Sequence, residues 1–562
     1  MRYSHISFIL CLLTNIFNHP IQSQELRNPF DFPILLSGNF GELRNNHFHA
    51  GIDFKTQGIE GKNMYAVKDG FVSRISVSPW GYGNALYINH PDGTTTVYGH
   101  LKRFNNAITA YVKENQYVLE RFSVDLVPEA DRFPVKKGDL IALSGNSGSS
   151  AGPHLHFEIR DTGTDEVLDP LDYYKGMIKD KTKPKIQGVM VYPAEGRGVI
   201  NGSSKKKELK LVTAKNGKQT LVGKVEAWGE IALAVKSYDY MDGTSNIYGV
   251  RKITLEADGQ IVFKSDINRF AFDETHYLNS FVDYEEWKDK RSFYMKSFVE
   301  PGNFLRFIES INRGFITIDK ERTYHLVYYL EDAFGNRTEL SVWIDGKEQD
   351  IPSPQTSGRE YFHWKSENKF GAKGLRLVIP PGGLYDDVYF RYSVKEDSTA
   401  LAATHTLHDR TLPIHSKAQL SIRLQTDTLG NKQQYGIVRK QNGRLSWIGG
   451  KYRNGWLDAD ISELGTFTIA QDAKPPVITP VNPAAWTGSQ KITLRISDNL
   501  SGISTYRGEI DGQFVLFEFD GKKGLVTYDF DKERLSRGGH RLVFTLTDVC
   551  GNESNYERSF VW

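Results

Sequence analysis

Two short pieces, far apart in the chain, carry side chains able to share one metal ion: His49-Ala50-Gly51-Ile52-Asp53 and His154-Leu155-His156. Zinc accepts imidazole nitrogen and carboxylate oxygen, and a catalytic zinc site uses three protein ligands while leaving a fourth position for water. His49, Asp53 and one of the two later histidines meet that count. Residues two apart on a strand project from the same face, so His154 and His156 both point into one site. His49 and Asp53, at an even separation, do likewise if Gly51 relaxes the backbone between them. Such a centre lowers the pKa of bound water toward ~7 and polarises a carbonyl, which is the chemistry of hydrolysis without a Cys or Ser nucleophile.

The elements that must position these residues read as short strands. Tyr65-Ala66-Val67, Phe71 to Ile75, Ala85 to Ile88 and Thr95 to Tyr98 are β-type runs separated by Gly, Asp and Asn turns. His90-Pro91-Asp92-Gly93 lies between two of them, and its Asp-Gly supplies the positive φ of a tight hairpin. Phe104, Ile108, Tyr111 and Val112 fall on one helical face and predict a short amphipathic helix, ahead of an insertion-like stretch running to Phe133. Linkers are marked by Lys183-Pro184, Ile351-Pro352-Ser353-Pro354 and Lys474-Pro475-Pro476. Two of the parts they delimit read as copies. Leu326-Val327-Tyr328 with Asp332, Gly335 and Asn336 matches Leu542-Val543-Phe544 with Asp548, Gly551 and Asn552, while Asp239 and Gly243 match Asp498 and Gly502. The expected fold class is mainly β, an antiparallel β-sheet domain carrying these zinc-type ligands followed by three β-sandwich-like modules. The divisions are 1–24 signal peptide, 25–178 the domain with the candidate zinc ligands, 182–347 immunoglobulin-like module, 355–472 second β module and 475–562 immunoglobulin-like module.

Three motifs, in order, carry a family resemblance: His49-Ala50-Gly51-Ile52-Asp53, then Tyr98-Gly99-His100-Leu101, then Gly145 through Gly152-Pro153-His154-Leu155-His156-Phe157-Glu158. With Gly81-Tyr82-Gly83-Asn84 and Val135-Lys136-Lys137-Gly138-Asp139 in support, residues 30–175 resemble the LytM or lysostaphin-type zinc endopeptidases of peptidoglycan. The resemblance implies that His49, Asp53 and His156 bind one Zn2+ per chain. It places His100 and His154 beside the open coordination position, as catalytic groups. His154 is the candidate base or water-orienting group, and His100 stabilises the oxyanion or assists protonation of the leaving amine; the two roles are exchangeable. Gly99 stands where the family commonly has alanine, and Ser149-Ser150-Ala151 departs from its usual Ser-Thr, without loss of a needed chemical group. The stretch from Phe104 to Phe133 is the larger departure and bears on how the groove is walled. His47 is read as a rim residue because only His49 keeps Gly51 and Asp53 in the family's spacing. His90 is read as structural, and Asn84 as a loop hydrogen-bonding residue.

The chain of 562 residues exceeds one usual hydrophobic core, and a net charge of +2 offers no field for nucleic acid or acidic lipid. Lys205-Lys206-Lys207 is read as a solvated loop face, and His405, His408 and His415 as surface histidines of a polar stretch. Arg2 and the apolar run Ile6 to Phe17 read as a secretory signal, and no later run is long enough for a transmembrane helix in the mature chain. Cys11 falls in the segment to be removed, leaving Cys550 as a single thiol and no internal disulfide. The expected location is the periplasm or cell envelope, or outside the cell. The expected substrate is a peptidoglycan peptide, with envelope protein partners for the β modules and no nucleic acid. Two other readings compete: a noncatalytic envelope scaffold or regulator of wall hydrolases, and an adhesion or carbohydrate-binding protein.

Overall fold

The computed structural model describes residues 25–214, 219–354, 356 and 359–562. The expected signal segment and Cys11 lie outside the described residues. Strands β1 (Leu36–Gly38), β2 (Ile52–Lys55), β3 (Asn63–Tyr65), β4 (Gly70–Val77), β5 (Asn84–Asn89), β6 (Thr94–Leu101) and β7 (Arg103–Phe104) lead to helix α1 (Asn106–Val118). They continue through β8 (Val124–Leu126), β9 (Pro134–Val135), β10 (Leu140–Leu143), β11 (His154–Asp161) and β12 (Val167–Leu168). The main sheet has the order β1-β2-β11-β6-β5-β4-β8, and β3-β10-β7 forms a second small sheet.

Central strands β5 and β6 are buried nearly throughout, because alternate side chains feed two apolar layers. Leu86, Ile88 and Tyr98 enter the main core, whereas Ala85, Tyr87 and Val97 pack with Tyr82 on the opposite face. The hairpin between them closes as expected: His90 N donates to Thr94 O at 2.9 Å, and Gly93 carries the positive φ of 79°. The predicted amphipathic helix is α1, capped by Asn105 Oδ1 accepting from Ile108 N and burying Ile108, Val112 and Gln116.

The protein is mainly β, with multiple sheets whose strands pair antiparallel except where Glu226–Ala227 runs parallel to Asp345–Gly346. Strands from Lys185 to Gly346, apart from Arg269–Phe270, link into an 11-stranded sheet, those from Glu360 to Gln471 form two 5-stranded sheets and a pair, Glu360–Phe362 with Val388–Phe390, and those from Val477 to Val561 form two 4-stranded sheets. One apolar cluster runs from Leu26 to Ile344 without interruption. Phe48 meets Phe270 at 5.6 Å, Phe281 at 6.0 Å and Phe307 at 5.6 Å, so a side chain next to His49 is anchored in the following module. Burying each such ring contributes on the order of 1.5–3 kcal/mol. The main sheet also crosses the linker, since β12 pairs with Arg269–Phe270.

Two readings of the sequence need correction. His405 is 1% exposed on a strand (Thr404–Leu407), with its Nδ1 2.9 Å from Tyr392 Oη, and His415 stacks on Tyr277, so these are packed rather than surface histidines. Lys206 is not a free loop cation: its Nζ lies 2.7 Å from Asp283 and 2.8 Å from Glu285.

Candidate metal centre

Three adjacent strands bring the site together. β2 and β11 place Asp53 directly opposite His156, and β11 and β6 place His156 opposite Gly99. His49 does not lie on β2. It enters from the preceding loop, where its N donates to Glu42 O and its carbonyl accepts from Gly41 N, both at 2.9 Å. Gly51 serves close approach rather than unusual φ: a Cβ there would sit 2.2 Å from the Phe157 carbonyl oxygen.

His49 Nε2, Asp53 Oδ1 and His156 Nδ1 form a nearly equilateral triangle, with separations of 3.0 Å between the histidines and 3.1 Å from each to the carboxylate. Ligands about 2.0–2.1 Å from a tetrahedral zinc would be about 3.3 Å apart, so the donor set and its spacing fit such an ion closely. The three residues are 6%, 7% and 5% exposed. Burial opposes charge on Asp53, yet His49 and His156 hold its carboxyl well below the usual range. Burial also opposes charge on His156, but hydrogen bonds to Asp53 and Glu158 raise its imidazole to about 9.

Each histidine ligand is aimed by its other ring nitrogen. His49 Nδ1 donates to Asn39 O at 2.7 Å, leaving Nε2 for the site. Asn39 is itself clamped by Gly249 of the following module, its Nδ2 donating to Gly249 O and its Oδ1 accepting from Gly249 N, both at 2.8 Å. His156 Nε2 donates to Glu158 Oε1 at 2.8 Å. Glu158 is fully buried, and also accepts from Tyr82 Oη at 2.5 Å and from Arg160 Nε at 2.7 Å. Burial would raise Glu158, but Arg160 and His156 bring it down to about 2. Asn39, Glu158 and Gly249 are supports that the motif reading left without a role. Strand alternation alone, which puts residues 154, 156 and 158 on one face, could have found Glu158.

His100 and His154 flank the trio. Their rings are 4.8 Å apart, and His154 Nε2 lies 3.5 Å from Asp53 Oδ1. His100 adopts a φ of 60° at the end of β6, a strained value for a non-glycine residue that turns its ring toward the site. Its Nδ1 donates to Ser147 O at 2.9 Å, and His154 Nδ1 donates to Gly152 O at 2.8 Å. Both neutral rings therefore keep the lone pair on Nε2. Burial, then His156 and His154, push His100 down to about 3; burial also lowers His154.

The other residues considered from sequence stay outside the trio. His47 is exposed, with Nδ1 2.9 Å from Asn45 O. His90 bridges Asp69 O and Thr96 Oγ1. Asn84 Nδ2 donates to Leu101 O at 3.1 Å.

Residues 47–124 and 119–170 match the family model described as Peptidase family M23, and residues 359–472 match the model of a Zu5-like domain. An "Uncharacterized metalloprotease" of Haemophilus influenzae is 34% identical over 154 residues, 27% of this chain and 26% of that protein. The "DD-carboxypeptidase/endopeptidase Mpg" of Neisseria meningitidis is 31% identical over 121 residues, 22% of this chain and 22% of that protein. The match thus spans about a quarter of the length of these curated relatives. Among solved structures, the catalytic domain of lysostaphin from Staphylococcus simulans is 24% identical, covering 25% of this chain and 92% of that chain at a TM-score of 0.20. Residues 47–170 are a domain of peptidase family M23, and its His–Asp–His metal-binding group is intact.

Proposed function

We propose that the protein is an exported zinc endopeptidase that hydrolyses peptide stems or cross-bridges of bacterial peptidoglycan. The observation that carries this reading is the triangle of His49 Nε2, Asp53 Oδ1 and His156 Nδ1 with two neutral histidines beside it. The substrate class comes from the names of two Vibrio cholerae relatives, "Peptidoglycan DD-endopeptidase ShyC" and "Peptidoglycan DD-endopeptidase ShyB". Zinc, when bound, supplies Lewis acidity and makes water ionisable near neutral pH.

His154 accepts the proton of the attacking water at Nε2, and Asp53, 3.5 Å away, favours the imidazolium so formed. The same proton passes to the leaving amine as the carbon–nitrogen bond breaks. His100, neutral with its Nδ1 tied to Ser147 O, presents an Nε2 lone pair that accepts and passes on this same proton, assisting its delivery to the leaving amine. The β modules, divided at 182–347, 355–472 and 475–562, position the enzyme in the envelope and offer surfaces to partners there. All five chemical positions are filled, which disfavours a noncatalytic scaffold.

The test is digestion of purified walls of defined cross-link chemistry, with mass spectrometry of the released muropeptides. New amine ends, lost on chelation, restored by zinc and absent with His154→Ala, are expected. Intact walls with zinc-loaded protein, or full turnover by His154→Ala, would overturn the proposal.

A further inference from the structure

Outside the peptidase centre lie two clusters of three aspartates: Asp180, Asp239 and Asp332, and Asp472, Asp498 and Asp548. In each, one oxygen from every carboxylate lies within 4.8 Å of the other two. Two oxygens bound at about 2.4 Å to one calcium ion are at most about 4.8 Å apart, so the spacing admits a shared ion.

The clusters repeat one another residue for residue. Asp332 Oδ1 accepts from Asn336 N and Oδ2 from Asn336 Nδ2, which also donates to Asp180 O. Asp548 Oδ1 accepts from Asn552 N and Oδ2 from Asn552 Nδ2, which also donates to Asp472 O. Asp239 and Asp498 each directly follow a strand, Glu226–Tyr238 and Lys491–Ser497. Asp180 and Asp472 each stand just before a proline linker, where the chain enters the next module.

A second observation points to a ligand. Asp239 is 1% exposed and its Oδ1 has no hydrogen-bond partner; Asp180 Oδ2 and Asp498 Oδ1 also lack one. Among the described residues no lysine, arginine or histidine pairs with any of the six carboxylates. Burial, and then the neighbouring Asp332, push Asp239 up to about 8. Buried carboxylates gathered without a counter-charge are costly unless a cation joins them. The donors are oxygens alone. Cys550 beside the second cluster stays a thiol, since burial pushes it up to about 11. Several carboxylates in an all-protein setting favour calcium over magnesium, which keeps its waters.

We propose that Asp180, Asp239 and Asp332 form one calcium site and Asp472, Asp498 and Asp548 a second, each tying an incoming linker to two loops of the module it enters. The proposal is independent of the peptidase reading, because neither cluster includes a residue of the zinc trio.

The experiment uses the full chain with zinc retained, freed of calcium on a chelating resin, and titrated with calcium alone by equilibrium dialysis and by thermal unfolding. Two equivalents are expected to bind at about 0.1–1 mM, the range of extracellular modules, with a rise in melting temperature. Asp239→Asn and Asp498→Asn should each remove one equivalent, and the double variant should melt independently of calcium. Asn keeps the size of each side chain and adds no charge to the cluster, and circular dichroism of the calcium-free variants checks that they fold. No binding by the wild type, or two equivalents retained by the double variant, overturns the proposal. Displacement by equimolar magnesium overturns the choice of calcium.

Discussion

Glu158 shows how one buried carboxylate disciplines a metal ligand. Its Oε1 accepts a hydrogen bond from His156 Nε2, which leaves Nδ1 as the ligand atom facing Asp53 and His49. The charge also makes the imidazole a better ligand. Replacing Glu158 with Gln keeps the shape and removes the charge, so zinc affinity should fall about 10–100-fold. Competition against a chromophoric chelator measures this, and unchanged affinity would reduce Glu158 to a packing role. His49, Asp53 and the His154–His156 pair were readable from their types and spacing through strand alternation, whereas the choice of His156 over His154 and the place of His100 came with the family resemblance. Asn39 was not readable, because its role lies in a backbone carbonyl and in a clamp to Gly249 that only the folded chain brings near. A substitution at Gly99 is a weaker case: a Cβ there would meet His156 Cβ at 3.4 Å, a tight but ordinary contact, so alanine fits.

The elements were legible where local pattern decides them. Helix α1 buries Ile108 and Val112 as spacing predicts, although Phe104, read as part of the same face, lies on β7, and the β5–β6 hairpin turns where Asp92-Gly93 requires. The placement of His49 was not legible. Gly51 looked like a point of flexibility inside one strand, whereas tertiary packing of Gly51 on the Phe157 carbonyl ends the strand ahead of it. The hairpin carries its own prediction. Burial lowers His90 below its ordinary value of 6.5 despite its hydrogen bond to Asp69 O. A depressed folded pKa means that the unfolded chain binds the proton more readily. The stabilisation is therefore complete above 6.5 and is lost as pH falls through the folded value. In His90→Gln, stability from denaturant melts should fall less steeply between neutral and acidic pH. An equal slope in both proteins would show that this histidine does not contribute.

At the scale of the whole molecule, two neighbouring modules support different halves of the site. The module after the peptidase domain holds the metal half: Gly249 clamps Asn39, and Thr275 Oγ1 accepts from Phe48 N, next to His49. The C-terminal module holds the half that carries His100 and His154. Lys522 Nζ donates to Asn146 O and Ser150 O, bracketing Ser147, whose carbonyl holds His100. Ser150 Oγ in turn lies 3.2 Å from His154 Nδ1. The same module packs Phe519 edge-on to Trp80 at 6.2 Å, and sets Phe514 against Tyr117 and Asp531 against Lys113 of helix α1. The insertion thus becomes a docking face, and the groove wall on that side is shared with a distant part of the chain. None of this long-range seating has a local signature, which is why the sequence divides into modules without showing how they meet. The two supports should fail differently. Asn39→Ala should loosen His49 and lower zinc affinity about 10–100-fold. Lys522→Ala should leave zinc content unchanged while lowering turnover, by up to the about 100-fold that a 1 Å misplacement costs. Amide exchange in residues 145–152 should rise with the second variant only. If both variants lost zinc alike, or if Lys522→Ala changed neither turnover nor exchange, the modules would be joined to the peptidase domain without supporting its chemistry.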